Sequence, residues 1–325
     1  MQIFRDLKDI ANIDSETAVT IGVFDGVHVG HQTIIKEAVS LAKSINGKSV
    51  VITFHPHPLS VVRPDNAPPT LTAIDLKANY ISQLGVDYLL VIPFNEVFAQ
   101  IEPEDFIDNV LAAKLHARFV IIGENFNFGK GRRGTTDFLT KRGNEKGFKT
   151  IVVPHIKKRD IIISSTEVRR RISLGDMAGA RELTGRNPQF RGKVVHGFGR
   201  GSSLIGFPTA NIETLYGEML PKHGVYAGYA CIDEKCHPCV VDIGVSPTFG
   251  DVSQPEIQVH VIDFNRDIYD KNIDVELVSR IRGEKTFHNV EELKAQIALD
   301  VAKTKEILAG ESKLCRKNKV LAEPR

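Results

Sequence analysis

The stretch FDGVHVGH sets His28 and His31 on either side of Gly30, where the apolar, β-branched run Val19–Val23 gives way to apolar residues at helical spacing. A glycine-bearing turn lets backbone come close to a phosphate, and a helix starting near His31 would present N–H groups and its positive dipole end to an anion. Two imidazoles on that turn add donors. The set suits the charge that develops when a nucleotide α-phosphate is attacked and pyrophosphate leaves. Read alone, the same residues equally make a tight turn with two solvated histidines. Far downstream, in ISSTEVRRRI, Ser164, Ser165 and Thr166 can cap a helix, with Glu167 closing a capping box on Ser164. Arg169, Arg170 and Arg171 follow at once; such a run is ordinarily a solvated face, with Val168 and Ile172 on the buried side.

These residues need elements to hold them. Val19–Val23, Ser49–Phe54, Tyr88–Ile92, Phe119–Ile122 and Thr150–Val153 read as strands, alternating with helical spacing over 34–44, 74–84 and 103–115. That alternation means βαβ units and a parallel sheet, whose ligands gather at the carboxyl ends of the strands. Two short helices, closed by Gly185 and Pro188, end this half. From Arg191 to Phe287 short strands such as Lys193–His196, Val225–Ile232, Val240–Gly244, Ile257–Phe264 and Ile273–Ile281 are separated by turn residues, which predicts a small antiparallel β-barrel. Val290, Leu293, Ile297, Val301 and Leu308 then space a terminal amphipathic helix. The expected division is 1–184, 185–310 and a frayed tail over 311–325.

Composition narrows the partners. The chain has 325 residues, 42% hydrophobic and 25% charged, with a formal charge of only +2, so no whole-molecule field draws it to nucleic acid or anionic lipid. The start, MQIFRDLKDI, lacks an apolar signal core, and no segment approaches the roughly 20 apolar residues of a membrane span. Small-molecule substrates and a cytoplasmic location are expected; oligomeric state is left open, a monomer being admissible. Three of the four cysteines cluster in CIDEKCHPC. A structural zinc site needs a second ligand pair, so a hairpin with buried or idle thiols is the expected reading.

Eight stretches in order carry a resemblance over nearly the whole chain: GVFDGVHVGH, TFHPHP, GENFNFGKGRRG, ISSTEVR, GFGRGSSLIGFPTANI, LPKHGVYAG, DIGVSPTFG and HVIDFNRDIYDKNIDVELVSRIRGEKTF. The chain resembles the bacterial bifunctional riboflavin kinase/FAD synthetase family. The resemblance implies a Rossmann-like nucleotidyltransferase domain making FAD from FMN and ATP, followed by a barrel making FMN from riboflavin and ATP, with Mg²⁺. It places His28 and His31 at the α-phosphate; Gly22, Phe24, Asp25, Gly30, Ser164, Ser165, Thr166 and Arg169 around the nucleotide; and His57, Pro58, Asn125, Phe126, Phe128 and Arg132 toward the flavin. GENFNFGKGRRG can be a flexible soluble loop, or an aromatic and basic loop that stacks an isoalloxazine and neutralises a phosphate. In the second half, Gly199, Gly201, Gly206 and Pro208 belong to a loop able to approach ATP. Thr209 and Asn211 supply oxygens for a magnesium ion that keeps its waters. A glycine-rich hairpin is the plain alternative.

One position departs from the family. Where it carries a glutamate that takes the proton of the riboflavin 5′-hydroxyl, this chain has Gln258, whose uncharged amide cannot serve as that base. Glu256 lies two residues earlier, about 6.8 Å along a regular strand, and reaches the hydroxyl only through a bulge. Tyr269 is followed by Asp270 where the family has glycine. The rivals to the bifunctional reading are a monofunctional FMN adenylyltransferase with a weak or inactive flavin-binding barrel, and a flavin-sensing regulator.

Overall fold

Apolar runs without polar alternation belong inside a parallel sheet covered on both faces. They lie there in the computed structural model, which describes residues 1–10, 13–196, 207–214, 217–244 and 256–310. The strands are β1 (Gln2–Phe4), β2 (Thr17–Ile21), β3 (Lys48–His55), β4 (Tyr88–Pro93), β5 (Ala117–Gly123) and β6 (Lys149–Val153), in the order β1-β4-β3-β2-β5-β6 and parallel throughout. Every residue of β2 is buried. The chain steps from β2 to β3 and β4 on one side and to β5 and β6 on the other, so the loop leaving β2 sits at the switch point of the sheet, where ligands of such folds bind.

Several short elements of this half are absent from the sequence reading, among them one strand and one helix that extend the sheet and its cover. Strand β1 is a three-residue edge strand among charged residues, and the helix Thr136–Lys146 buries only Leu139 and Gly143. The helical run expected over 103–115 is a short helix, Pro103–Asp105, continuing as a π-helix over Phe106–Ala112. A two-stranded hairpin, β7 (Lys157–Lys158) and β8 (Ile161–Ile162), leads to the helices Ser165–Ser173 and Met177–Thr184.

The second half closes as a six-stranded antiparallel barrel. Its strands are β9 (Gln189–Val195), β10 (Ala210–Thr214), β11 (Gly224–Ile232), β12 (Lys235–Gly244), β13 (Glu256–Val261) and β14 (Asn272–Arg282), in the cyclic order β10-β13-β12-β11-β14-β9. Strand period decides which residues fill it. Val194, Ile212, Cys239, Val241, Ile243, Ile257, Val259 and Val261 are buried as its filling, whereas Val195, Asn211, Gln258 and Asp242 share the opposite parity on one register row.

The chain divides into two compact units, residues 1–70 with 74–165 and residues 71–73 with 166–325. The helix Met177–Thr184 packs on β14 of the barrel. The tail expected over 311–325 lies outside the described residues.

The cysteine expectation is corrected in part. Asp233 and Glu234 both adopt left-handed backbone, with φ of 48° and 66°, as the two central residues of a type I′ hairpin do. That turn sets Cys231 directly opposite Cys236, and the two form a disulfide rather than free thiols. Cys239 is a buried free thiol, its pKa pushed up by burial.

The terminal helix, Val290–Gly310, also differs from its apolar pattern: Val290 is exposed, and the deepest residues are Asp300, Thr304 and Leu308. Asp300, 4% exposed, accepts from Arg282 Nη2 at 2.8 Å and from its Nε at 3.1 Å, and from Gln296 Nε2 at 3.0 Å. Helix and barrel are thus tied by a buried ion pair beside the apolar contact of Val301 with Val225 and Val240. Asp300→Ala strands the Arg282 guanidinium without its partner and is expected to cost about 3–5 kcal/mol of unfolding free energy. Denaturant titration of the barrel transition measures it, and a loss under about 1 kcal/mol would show that the pair does not hold the helix.

Candidate active sites

The first site is built where β2 ends. Between Ile21 and the helix Val29–Ser44 the backbone makes a compact turn with three positive φ angles, 48° at Phe24, 81° at Gly26 and 37° at Val27. Phe24 points inward, 2% exposed, and its ring fills the space a side chain at Gly22 would need, at 2.9 Å from where a Cβ would stand. Two side chains from other elements hold the turn by one carbonyl. Thr53 Oγ1 donates to Val23 O at 2.9 Å and Lys77 Nζ at 2.8 Å. Lys77 is nearly buried; desolvation lowers its pKa to about 8, against the opposing pull of Asp25. Burial, and then the Lys77 charge, also push the His55 imidazole below its ordinary pKa.

His28 is the N-cap of the helix Val29–Ser44, its Nδ1 accepting from His31 N at 3.2 Å. A neutral His28 ring therefore carries its proton on Nε2. Its ring stacks on that of His31 at 3.5 Å between centroids and 17° between planes, and His31 meets Phe24 edge-on at 5.2 Å. Gly30 leaves room for this arrangement, since a Cβ there would lie 3.2 Å from the His28 ring. The turn is also tied to the downstream stretch: Ser165 Oγ donates to Asp25 O at 2.8 Å. Asp25 of FDGVHVGH and Ser165, far apart in sequence, therefore meet through a hydrogen bond.

The arginine run is largely committed. Glu167 takes Arg170 Nη2 at 2.7 Å and Arg171 Nε at 2.8 Å, and these guanidinium contacts, Arg170 first, hold its carboxyl down at about 2. Arg171 also reaches Asp176 at 2.8 Å. Val168 and Ile172 are buried as expected. Thr166 and Arg169 stand on the part of this helix that belongs to the second compact unit.

The loop GENFNFGKGRRG is closed on itself, Phe128 and Gly134 exchanging backbone hydrogen bonds of 3.0 Å each way. Phe126 stacks on Phe128 at 5.4 Å, and Phe128 continues through Phe106 at 5.8 Å to Phe98, Phe94 and Phe54. These rings form an aromatic chain along the carboxyl ends of β3, β4 and β5. Sequence reasoning singled out Phe126 and Phe128 but missed the others, which lie at the end of β3, after β4 and in the π-helix and share no local pattern. Arg133 and Lys130 both pair with Glu102, while Arg132 is exposed at φ 60°. Asn125 Nδ2 lies 2.7 Å from His155 Nε2, which also approaches Glu124 at 3.3 Å. His57 caps the short helix Pro58–Val62, accepting from Leu59 N at 3.1 Å, with Pro58 at its first position.

The second site lies on the outer face of the barrel. Gly199, Gly201 and Gly206 fall outside the described residues. Pro208, Thr209 and Asn211 run into β10, and His260 of β13 holds the Pro208 carbonyl at 2.9 Å from its Nδ1. Asn211 pairs with Gln258, and Gln258 pairs on its other side with Asp242. The β13 ladder runs from Glu256 to Val261 without a register shift, so Glu256 stays opposite Gly244, two residues from Gln258. Asp270, the residue standing for glycine, has φ 61° and is held by Lys193 at 2.8 Å; the position needs left-handed backbone, which aspartate tolerates.

Thr209 and Asn211 fit a magnesium ion by the chemistry of their donors. Both offer hard, neutral oxygens, which suits an ion whose charge is met by phosphate and which keeps several waters.

A family model of FAD synthetases matches residues 10–167, and one of riboflavin kinases matches residues 184–308. The bifunctional riboflavin kinase/FMN adenylyltransferase of Buchnera aphidicola subsp. Schizaphis graminum is 37% identical over 304 residues, 93% of this chain and 97% of the relative. That of Escherichia coli strain K12 is 36% identical over 308 residues, 94% of this chain and 97% of its own length, and that of Bacillus subtilis strain 168 is 37% identical over 289 residues, 88% and 90% of the two. A solved Streptococcus pneumoniae structure named a macrolide-efflux protein superposes with a TM-score of 0.83 at 29% identity, over 96% of this chain and 99% of that one. Among the described residues no helix is long and apolar enough to cross a membrane. With relatives of one name matching it nearly end to end, and both family models in the same order along the chain, this chain belongs to the bifunctional riboflavin kinase/FMN adenylyltransferase family.

Proposed function

We propose that the chain converts riboflavin to FMN on the outer face of its barrel and FMN to FAD at the switch point of its parallel sheet, each step using ATP. The observation that carries the reading is the stacked His28–His31 pair, seated on a helix N-terminus at the carboxyl end of β2. In the adenylylation an FMN phosphate oxygen bonds to the α-phosphorus as the bond to the bridging oxygen breaks and pyrophosphate leaves with the electron pair. His28 and His31, the first N–H groups of the helix Val29–Ser44, and the hydroxyls of Ser164 and Ser165 act on the charge that gathers on the phosphoryl oxygens. Gly22, Phe24, Asp25 and Gly30 shape the turn. The Phe126–Phe128 stack, with Asn125, Arg132, His57 and Pro58, is the flavin side of the site. Neither transfer needs a covalent enzyme intermediate, since positioning and charge neutralisation suffice.

In the barrel Thr209 and Asn211 would hold Mg²⁺, which neutralises phosphate charge when bound, and Pro208, positioned by His260, sets the start of that strand. The working division is 1–184 for adenylylation and 185–310 for phosphorylation. Partners are riboflavin, FMN and ATP, with neither nucleic acid nor membrane, in the cytoplasm. Gln258 favours a second reading, in which only the adenylylation is fast. Incubating the protein with riboflavin, ATP and Mg²⁺ and separating the flavins decides between them. FMN and FAD together are expected; FAD only from supplied FMN supports the second reading, and neither product overturns both.

Two substitutions separate the sites. His31→Ala is expected to lower FAD formation about 10²–10³-fold, the usual scale for one lost charge-stabilising donor, while riboflavin phosphorylation stays at the wild-type rate. FAD synthesis within about twofold of wild type would remove His31 from the site. Asn211→Ala is expected to raise the magnesium needed for half-maximal riboflavin phosphorylation by roughly tenfold, about 1.4 kcal/mol of binding, with FAD synthesis from FMN unaltered. Magnesium titrations of the two activities check it, and an equal loss in both would mean that Asn211 serves the fold.

A further inference from the structure

A kinase whose acceptor is a hydroxyl needs somewhere for the hydroxyl proton to go, and the amide of Gln258 cannot take it. The register of the barrel puts another group there. We propose that Asp242 is the general base of riboflavin phosphorylation, receiving the proton across the strand from Gln258. The inference rests on the kinase reading above and adds to it the residue that does this work.

The placement follows from the ladder. Asn211, Gln258 and Asp242 are directly paired across β10, β13 and β12, so all three stand on the outer face in one row. Directly opposed residues have Cβ atoms about 4.5–5.5 Å apart, so a carboxylate at Asp242 stands beside position 258 on the same face, one strand away. Asn211 and Asp242 are two strand spacings apart, roughly 9–10 Å, with Gln258 between them. A hydroxyl lying over Gln258 therefore has the magnesium-holding end of the row on one side and a carboxylate on the other. Glu256, the other carboxylate on β13, faces Gly244 and is a further 6.8 Å or so along the strand.

The surroundings suit a base. Asp242 is exposed to solvent on its open side, as a group that must meet a substrate has to be. Among the described residues no hydrogen bond or ion pair engages its carboxylate, in contrast to Asp274, which Arg191 holds at 2.6 Å, and Asp300, which Arg282 holds. On its protein side the carboxyl is partly desolvated, which acts first in raising its pKa; Arg282 lowers it, and Glu284 and Asp300 raise it. Arg282 stands two strands away, across Val225, and its charge is already met by Asp300. The diagonal neighbours on β13 are Glu256 and His260.

In the step, the riboflavin 5′-oxygen bonds to the γ-phosphorus while the bond from that phosphorus to the bridging oxygen breaks. ADP leaves with that electron pair, the hydroxyl proton passes to an Asp242 carboxylate oxygen, and Asp242 returns it to water. Gln258, able to donate and accept, orients the hydroxyl between the two.

The test uses the full chain, with riboflavin, ATP and Mg²⁺ and initial rates over a pH series. Asp242→Asn should lower riboflavin phosphorylation about 10²–10⁴-fold, the range of a positioned general base, and leave FAD synthesis from supplied FMN unchanged. The wild-type rate should fall on the acid side with a midpoint above the ordinary aspartate value of about 3.9, and the variant should lose that limb. Gln258→Glu added to Asp242→Asn should recover at least about tenfold, because it returns a carboxylate to the row; a merely structural loss would not respond. Asp242→Asn within about threefold of wild type, an unchanged acid limb in that variant, or no recovery in the double variant each overturn the assignment. A wild-type protein that makes no FMN from riboflavin overturns the kinase reading itself, and the base with it.

Discussion

Two hydrogen bonds to one carbonyl, that of Val23, hold the turn that leaves β2 in place. At the end of β2 the chain must leave a sheet buried on both faces, and the partly buried Val23 carbonyl there lies past the strand's ladder. Such a group costs about 1–3 kcal/mol if left unmet. Thr53 on β3 and Lys77 on the helix Ile74–Ser82 meet it together. The turn can then take three left-handed residues in a row of four and still hold one conformation. The stacking of His28 on His31, the cap on the helix Val29–Ser44 and the Ser165 bond to Asp25 all follow from that anchored turn. The burial of Lys77, which lowers its ammonium pKa to about 8, is part of the cost of the arrangement.

In the barrel the governing constraint is parity. A closed six-stranded ladder leaves each strand one face for the filling, so only alternate residues can meet a substrate. Asn211, Gln258, Asp242 and Val195 have the outward parity, and the terminal helix already covers part of that face, over Val225 and Val240, with the Arg282–Asp300 pair as its fastening. Among the described residues, the row from Asn211 to Asp242 lies outside that covered part. The same alternation that packs Val241 and Val259 inside turns Asn211, Gln258 and Asp242 outward.

Much of this was legible in the sequence wherever one strong pattern had one explanation. The parallel strands were found because residues buried on both faces leave unbroken apolar runs, and the FDGVHVGH turn because it separates a strand period from a helical one. Other features have no local signal. Lys77 reads as a solvated helical lysine until the fold sets Val23 above it. The aromatic chain from Phe54 to Phe126 is scattered over more than seventy positions and meets only at the strand ends. Asp300 breaks an apolar helical stripe, a position the pattern gives no reason to bury, and it is the buried anchor. The Cys231–Cys236 pairing depends on a two-residue turn formed by Asp233 and Glu234, which lacks the Asn-Gly or Asp-Gly sequence that announces such turns.

Register explains why an amide at position 258 is physically coherent beside Asp242. Two carboxylates directly opposed on one face of an antiparallel pair repel, and like charges so placed destabilise the sheet. The Asp242 carboxyl already feels Glu284 and Asp300, with Arg282 as its opposing charge and that guanidinium bound to Asp300. A second carboxylate on the row would protonate one of the pair or push the strands apart. With glutamine there, the row carries a single charge at one end, a neutral hydrogen-bonding group in the middle, and the neutral oxygens of Asn211 and Thr209 at the other. Negative phosphate can then approach the Asn211 end without meeting a carboxylate, and the acceptor hydroxyl can lie against the Asp242 end. With an amide at position 258 the row keeps one carboxylate, at Asp242.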